Sequence, residues 1–265
     1  SGRRQSGAWG EVFGDDLRGH EIFMAWSYAR YVEEIAAAGK AVHDIPLFVN
    51  AALPRPGRKP GDYPSAGPLP HLRDLWRLGA PSIDFIAPDI YFPNFVEWAR
   101  KYAFDGNPLF IPEAGRAGSA DAPGNALFAI GELHAIGFSP FWIENIDTPE
   151  KSAILKDVYE ALRELTPLII AHQGKSSMRA VRAPVSFEGA ADLSPQSLAF
   201  GDFILEATVV DPWTPRDAQH PENHAAIVFQ LAHNEFLVAG VGVTFTFTTA
   251  DAAAGILAAD EGYFR

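Results

Sequence analysis

Short apolar runs of strand length alternate with amphipathic helical stretches over the first two thirds of this chain, and that alternation restricts the fold more than any other feature. Ile22, Trp26, Ala29, Val32 and Ala36 recur at three- and four-residue spacing, which predicts one apolar helix face, with Gly39 as its stop. A strand-length run at 45–50 follows, then a long Pro/Gly loop (54–70). Leu72, Leu75, Trp76 and Leu78 mark a helix closing at Gly79. The pattern repeats as strand 83–87 and helix 95–104, strand 109–111 and helix 125–136, then strand 138–143. Thr148 suits an N-cap and Pro149 the first helical position, while Ile154, Leu155, Val158, Leu162 and Leu165 form a buried stripe that Pro167 should end.

Four such pairs predict a parallel sheet covered by helices. The sheet is either an open four-stranded α/β layer or half of a (β/α)8 barrel. An open nucleotide-binding sheet should carry a Gly-rich phosphate turn, and none follows a strand here. Gly240-Val-Gly242 lacks the third glycine and lies in a β-rich region. The half barrel is therefore preferred. From about 168 helical spacing stops, and 198–210, 225–231, 235–239 and 241–248 read as strands around a polar, Pro-rich loop at 211–223. The fold expected is α/β: a partial barrel over 1–167, then a mainly antiparallel, sandwich-like β domain over 168–265 that stops at Tyr263-Phe-Arg without closing a sheet.

Charge and composition narrow the partners. A net charge of −12 argues against nucleic acid or an acidic membrane surface. The longest uncharged run, 236–250, is too short and too polar for a membrane helix. The absence of cysteine removes disulfides and thiolate chemistry. Eight histidines show neither His-x-His nor His-Glu-x-x-His spacing, so a zinc hydrolase is not expected. There is no Gly-x-Ser-x-Gly elbow and no Walker loop. Ser1-Gly-Arg-Arg-Gln is polar and no apolar run follows it, so no signal peptide is read; localisation stays open, since an export signal would lie upstream of Ser1.

Candidate chemistry sits where strands end. In a parallel barrel the C-terminal strand ends carry the catalytic side chains. Leu109-Phe-Ile-Pro-Glu113 delivers a carboxylate there, and Phe138-Ser-Pro-Phe-Trp-Ile-Glu144-Asn145 delivers Trp142 and Glu144. Glycosidic cleavage needs one protonated and one ionised carboxyl, and Glu113 suits the ionised part. Among 33 acidic residues, a solvated loop glutamate is the plain alternative. Tyr91, after strand 83–87, could hydrogen-bond that carboxylate or simply close the barrel top. Trp142 could stack on a sugar face or fill the core. Asn50 could donate to a sugar hydroxyl or cap a turn. Glu144 could bind hydroxyls, serve as the acid, or hold a loop salt bridge.

Residues 6–167 resemble the second half of the catalytic barrel of retaining β-galactosidases, in the large glycosidase clan A that includes glycoside hydrolase families 35 and 42. The resemblance rests on Phe48-Val-Asn50-Ala-Ala-Leu, Tyr63-Pro-Ser-Ala-Gly-Pro-Leu-Pro-His71, Ile83-Asp-Phe-Ile-Ala-Pro-Asp-Ile-Tyr91-Phe, Leu109-Phe-Ile-Pro-Glu113 and Gly137-Phe-Ser-Pro-Phe-Trp142. Together these look like the bacterial family 35-type members. The resemblance implies that the strands are the fifth to eighth of the barrel. It makes Glu113 the nucleophile, Tyr91 the residue that orients it, and Trp142 a wall of the sugar subsite. The substrate implied is a terminal β-D-galactoside, cleaved by double displacement without a cofactor.

One departure matters. The family's acid/base glutamate follows an Asn at the end of the fourth strand, and no such pair precedes residue 6. Asn234-Glu235 lies in the β-rich region, and Glu144-Asn145 has the reverse order. The acid/base is thus expected outside this sequence, and these residues alone are expected to hydrolyse little or nothing. A half barrel would also leave strand edges bare, so the working protein is expected to be longer, or its other half to come from another segment. The alternatives are a clan-A enzyme of another specificity (β-glucosidase, arabinosidase or xylosidase) and a non-catalytic carbohydrate-binding protein.

Overall fold

The computed structural model describes residues 6–249 and 254–262. The side chain of Ile154 and the terminal residues 1–5 and 263–265 lie outside what is described, so the expectations on them rest on sequence alone. In chain order the elements are α1 (Trp9–Phe13), α2 (Leu17–Val42), β1 (Phe48–Ala52), α3 (Arg73–Gly79), β2 (Phe85–Ile90), α4 (Phe95–Tyr102), β3 (Phe110–Ile111), β4 (Glu113–Ala114), α5 (Ala122–Gly131), β5 (Gly137–Phe138) and α6 (Pro149–His172). The strands β6 (Met178–Arg182), β7 (Gln196–Phe200), β8 (Phe203–Thr208), β9 (Ala225–Ala232), β10 (Glu235–Val241) and β11 (Thr244–Thr249) follow. The chain forms two compact units, residues 1–90 with 101–112, and residues 91–100 with 113–265.

In the first unit β1 and β2 pair in parallel, with Phe48 opposite Phe85 and Asn50 opposite Ala87. Phe48, Phe85 and Phe110 form an aromatic cluster with centroids 5.0–6.1 Å apart. Asn107 ties β2 to the turn before β3: its side chain accepts from Ile86 N and donates to the carbonyls of Ile86 and Tyr102. A buried amide is tolerated here because it is satisfied on both sides. Helix α2 packs Ala25 and Ala29, both fully buried, against Leu69, Leu72 and Trp76. It overruns the expected stop at Gly39 by three residues. Lys40 in that last turn pairs with Asp84, N···O 2.7 Å, and Asp84 also accepts from Leu47 N. These contacts hold the overrun in place.

The second unit is layered. Sheet β10-β9-β6 and sheet β11-β8-β7 are each three-stranded, and all their pairings are antiparallel. Period-2 alternation divides β6 and β9 between two covers. Val181, Ala226 and Val228 meet Leu198, Phe200, Leu205 and Ala207 of the facing sheet. The opposite face carries Ala180 and Ile227, which approach α5 so closely that a Cβ on Gly131 would stand 2.8 Å from each. Edge-on contact of His172 in α6 with Phe229 (5.7 Å) adds to that face.

Three expectations are revised. Pro167 does not end α6; the helix continues to His172 with the proline inside. An internal proline costs about 3 kcal/mol, and the turn beyond it is held by His172 on Phe229, by His172 Nδ1 with Ser177 Oγ (2.7 Å), and by Gln173 Nε2 donating to His134 O (3.0 Å). The run 198–210 is two strands, not one, because Gly201 turns at φ +57° and β7 folds onto β8. The helix expected at 125–136 begins and ends earlier, as α5, with Pro123 in its first turn.

The coarse fold expectation holds: an α/β chain with parallel pairing early and antiparallel sheets late. Among the described residues no barrel is closed.

Candidate functional site

In the second unit a run of side-chain contacts leads from Glu113 through Tyr91, Phe141 and Trp142 to Arg116. The chain leaves β4 at once, because Gly115 takes φ +55° and turns it. Backbone bonds tie this turn to the segment after β5: Ala114 N donates to Ser139 O (3.0 Å), Ala117 N to Phe141 O (2.7 Å), and Arg116 bridges Phe141 in parallel. Glu113 and Phe141-Trp142 are therefore delivered by two adjacent, mutually braced pieces of chain.

The Tyr91 hydroxyl donates to Glu113 Oε2 at 2.5 Å. This bond restricts the direction of the carboxylate. Tyr91 meets Phe141 edge-on at 5.7 Å, and Phe141 stacks on Trp142 at 5.7 Å and 23°. The Arg116 guanidinium lies over the Trp142 ring, 5.2 Å from its centroid, a cation–π contact worth about 0.5–1 kcal/mol at an exposed site. Tyr91 and Trp142 are nearly half exposed, at 46 % and 45 %. They are open to a ligand as core residues would not be.

Trp142 sits in the left-handed region (φ 66°, ψ 45°), as the residue before the 3-10 turn Ile143–Asn145. Such a conformation costs a bulky residue about 1–3 kcal/mol. Glu144 lies in that turn, exposed, with no hydrogen bond or ion pair among the described residues. The salt bridge offered as its plain role is not formed. Asn50 belongs to the other compact unit. Its Nδ2 donates to Asp89 Oδ1 at 2.8 Å, across the β1–β2 pair.

Arg116 and Phe141 were not singled out from the sequence. The available signal was modest: Arg116 follows Glu113 by three residues around a glycine, and Phe141 precedes the tryptophan that was chosen. Among the described residues no three His, Asp or Glu side chains are grouped as a metal site would require. No helix of the described residues is long and apolar enough to cross a membrane.

The elements and the site define a mixed α/β chain with an antiparallel C-terminal region and a carboxylate set among aromatics. Residues 155–265 match a domain of unknown function, DUF5597. The match covers most of α6 and all the antiparallel strands. No curated protein matches the chain.

Proposed function

We propose that this chain carries the nucleophile half of a retaining exo-β-galactosidase, built on the second half of a (β/α)8 barrel. The observation that supports it is the 2.5 Å hydrogen bond from Tyr91 to Glu113, with the half-exposed ring of Trp142 joined to Tyr91 through Phe141. A retaining glycosidase needs a carboxylate aimed at the anomeric carbon, and a phenol donor restricts where its free oxygen points. An indole face complements the apolar C–H face of a pyranose.

In this reading Glu113 forms a bond to the anomeric carbon as the bond to the leaving oxygen breaks. A second carboxyl protonates that oxygen. The same group then takes a proton from water, whose oxygen attacks the anomeric carbon and frees Glu113. The second carboxyl should stand about 5–5.5 Å from Glu113. The clan motifs bear on the chemistry more directly than on the C4 hydroxyl, so the sugar is tested separately from the nucleophile.

A 2,4-dinitrophenyl 2-deoxy-2-fluoro-β-D-galactoside tests the nucleophile directly, since its leaving group needs no proton. Mass spectrometry should find the sugar on the peptide that holds Glu113, and Glu113→Gln should abolish the adduct and, in an enzyme that holds both carboxyls, lower aryl-galactoside turnover by at least about a thousandfold. Labelling elsewhere, or wild-type turnover in that variant, would overturn the assignment. Faster turnover of the aryl glucoside, arabinoside or xyloside would move the reading to another sugar.

A further inference from the structure

The aromatic platform beside Glu113 carries a cation that no carboxylate of the described residues neutralises. Arg116 is exposed, and its guanidinium lies 5.2 Å from the centroid of the Trp142 ring. It makes no ion pair and no side-chain hydrogen bond among the described residues, and neither Glu113 nor Glu144 pairs with it. Lys151, which packs against the same loop at Gly118, is already paired with Asp147 at 2.6 Å. The contact with Trp142 leaves the donors of Arg116 free. A cation over a ring is held by its charge, and a guanidinium still has five N–H donors to offer and no acceptor.

The turn that carries Arg116 is braced on three sides. Gly115 (φ +55°) and Gly118 (φ +81°) bend the chain before and after it. Arg116 bridges Phe141, Ala117 N donates to Phe141 O at 2.7 Å, and Ser119 N donates to Arg116 O at 3.0 Å. A Cβ added at Gly118 would stand 3.2 Å from the Lys151 side chain, so the turn also rests on α6. A guanidinium held on a ring by such a turn has little freedom left for a ligand to remove.

Donors without an acceptor fit a group made only of acceptors. A carboxylate or a sulfate offers two oxygens to the guanidinium fork, and such charge-assisted bonds are roughly twice as strong as those to a hydroxyl. The net charge of −12 opposes an extended polyanion. A single acidic sugar feels mainly the charges within a Debye length, about 8 Å at physiological salt. We propose that Arg116 is an anion-recognising subsite of the Glu113 cluster, and that the saccharide taken there bears a carboxylate or a sulfate. Its ring lies at Trp142 and its anionic oxygens meet the guanidinium. This names the substrate class of that site and rests on reading it as a saccharide site; it does not need Glu113 to be catalytic.

The test is a saturation-transfer NMR titration of the full chain with matched probes. These are methyl β-galactopyranoside and methyl β-glucopyranoside, each beside its C6 carboxylate and its C6 sulfate. At least one acidic probe should bind about tenfold or more tighter than its neutral parent, and the tighter acid tells carboxylate from sulfate. Raising the salt from ~0.05 to ~0.5 M should shrink that preference. Arg116→Gln should bring the acidic probe down to the level of its parent. Arg116→Lys, which keeps the charge without the fork, should retain part of the gain. Equal binding of acid and parent, no binding of any probe, or a preference that survives Arg116→Gln overturns the proposal. The fluorinated galactoside keeps the two readings apart. Label on Glu113 with no acidic preference leaves the nucleophile standing and removes this subsite alone; acidic preference without label keeps the subsite, in a binding protein.

Discussion

Strands β1 and β9 are written in nearly the same residues, Phe-Val-Asn-Ala-Ala against Ala-Ala-Ile-Val-Phe, yet they end in opposite environments. In β9 five consecutive residues, 225–229, are each at most 1 % exposed, because α5 and α6 cover one face and the β7-β8-β11 sheet the other. In β1 only Ala51 is buried and Phe48 is 41 % exposed. Nearby on the sequence, Met24, Tyr28, Tyr31 and Ile35 of α2 are 43–66 % exposed. An apolar strand thus records that it can be covered on two faces; whether it is covered depends on other elements. Burial in β9 is accordingly far more complete than in β1.

The largest effect on stability should come from Phe229→Ala, which empties a fully buried ring site: about 3–5 kcal/mol lost, read by urea unfolding. Phe48→Ala should cost clearly less, and equal losses would erase the contrast. Next comes Gly131→Ala. Its new methyl would meet Ala180 and Ile227 at 2.8 Å, and overpacking of about 1–3 kcal/mol should outweigh the helix-propensity gain of about 1. A stabilised variant would mean that the helix–sheet contact has slack.

In the first unit, Asp84→Asn should cost only about 0.2–1 kcal/mol at neutral pH, the worth of a solvent-exposed pair. The sign of its pH dependence is fixed. The Lys40 and Leu47 bonds lower the folded pKa of Asp84 below 3.8, so its contribution is present above that value and fades as pH falls through the lower folded one. Wild type and variant should converge in acid; a gap that persists at low pH would assign the effect to something other than charge. Smallest of all is Ile35→Lys on the open face of α2, expected within about 0.5 kcal/mol of wild type. A substantial loss there would show that this face is covered in solution.

Much of the order of elements could be read from the sequence because periodicity and caps are local signals. Thr148 does cap α6, accepting from Lys151 N, and Leu155, Val158, Leu162 and Leu165 are buried as their spacing required. Pro167 and the 198–210 run misled for the opposite reason. In each case contacts or a turn outside the local pattern decided the outcome: His172 on Phe229 for the helix, Gly201 for the hairpin. Strand β6 was passed over, since Met-Arg-Ala-Val-Arg carries two arginines and does not look like a buried strand. At the candidate site, Tyr91 and Glu113 were legible as strand-end residues and the structure joins them by a hydrogen bond. Arg116 was not, because a cation over an aromatic ring depends on the bend at Gly115, which no spacing rule encodes.

The left-handed backbone of Trp142 has one more consequence. Glycine would occupy that conformation without strain, so Trp142→Gly would trade relief of the backbone strain against loss of the ring's contacts with Phe141 and Arg116 and the greater freedom of glycine in the unfolded chain.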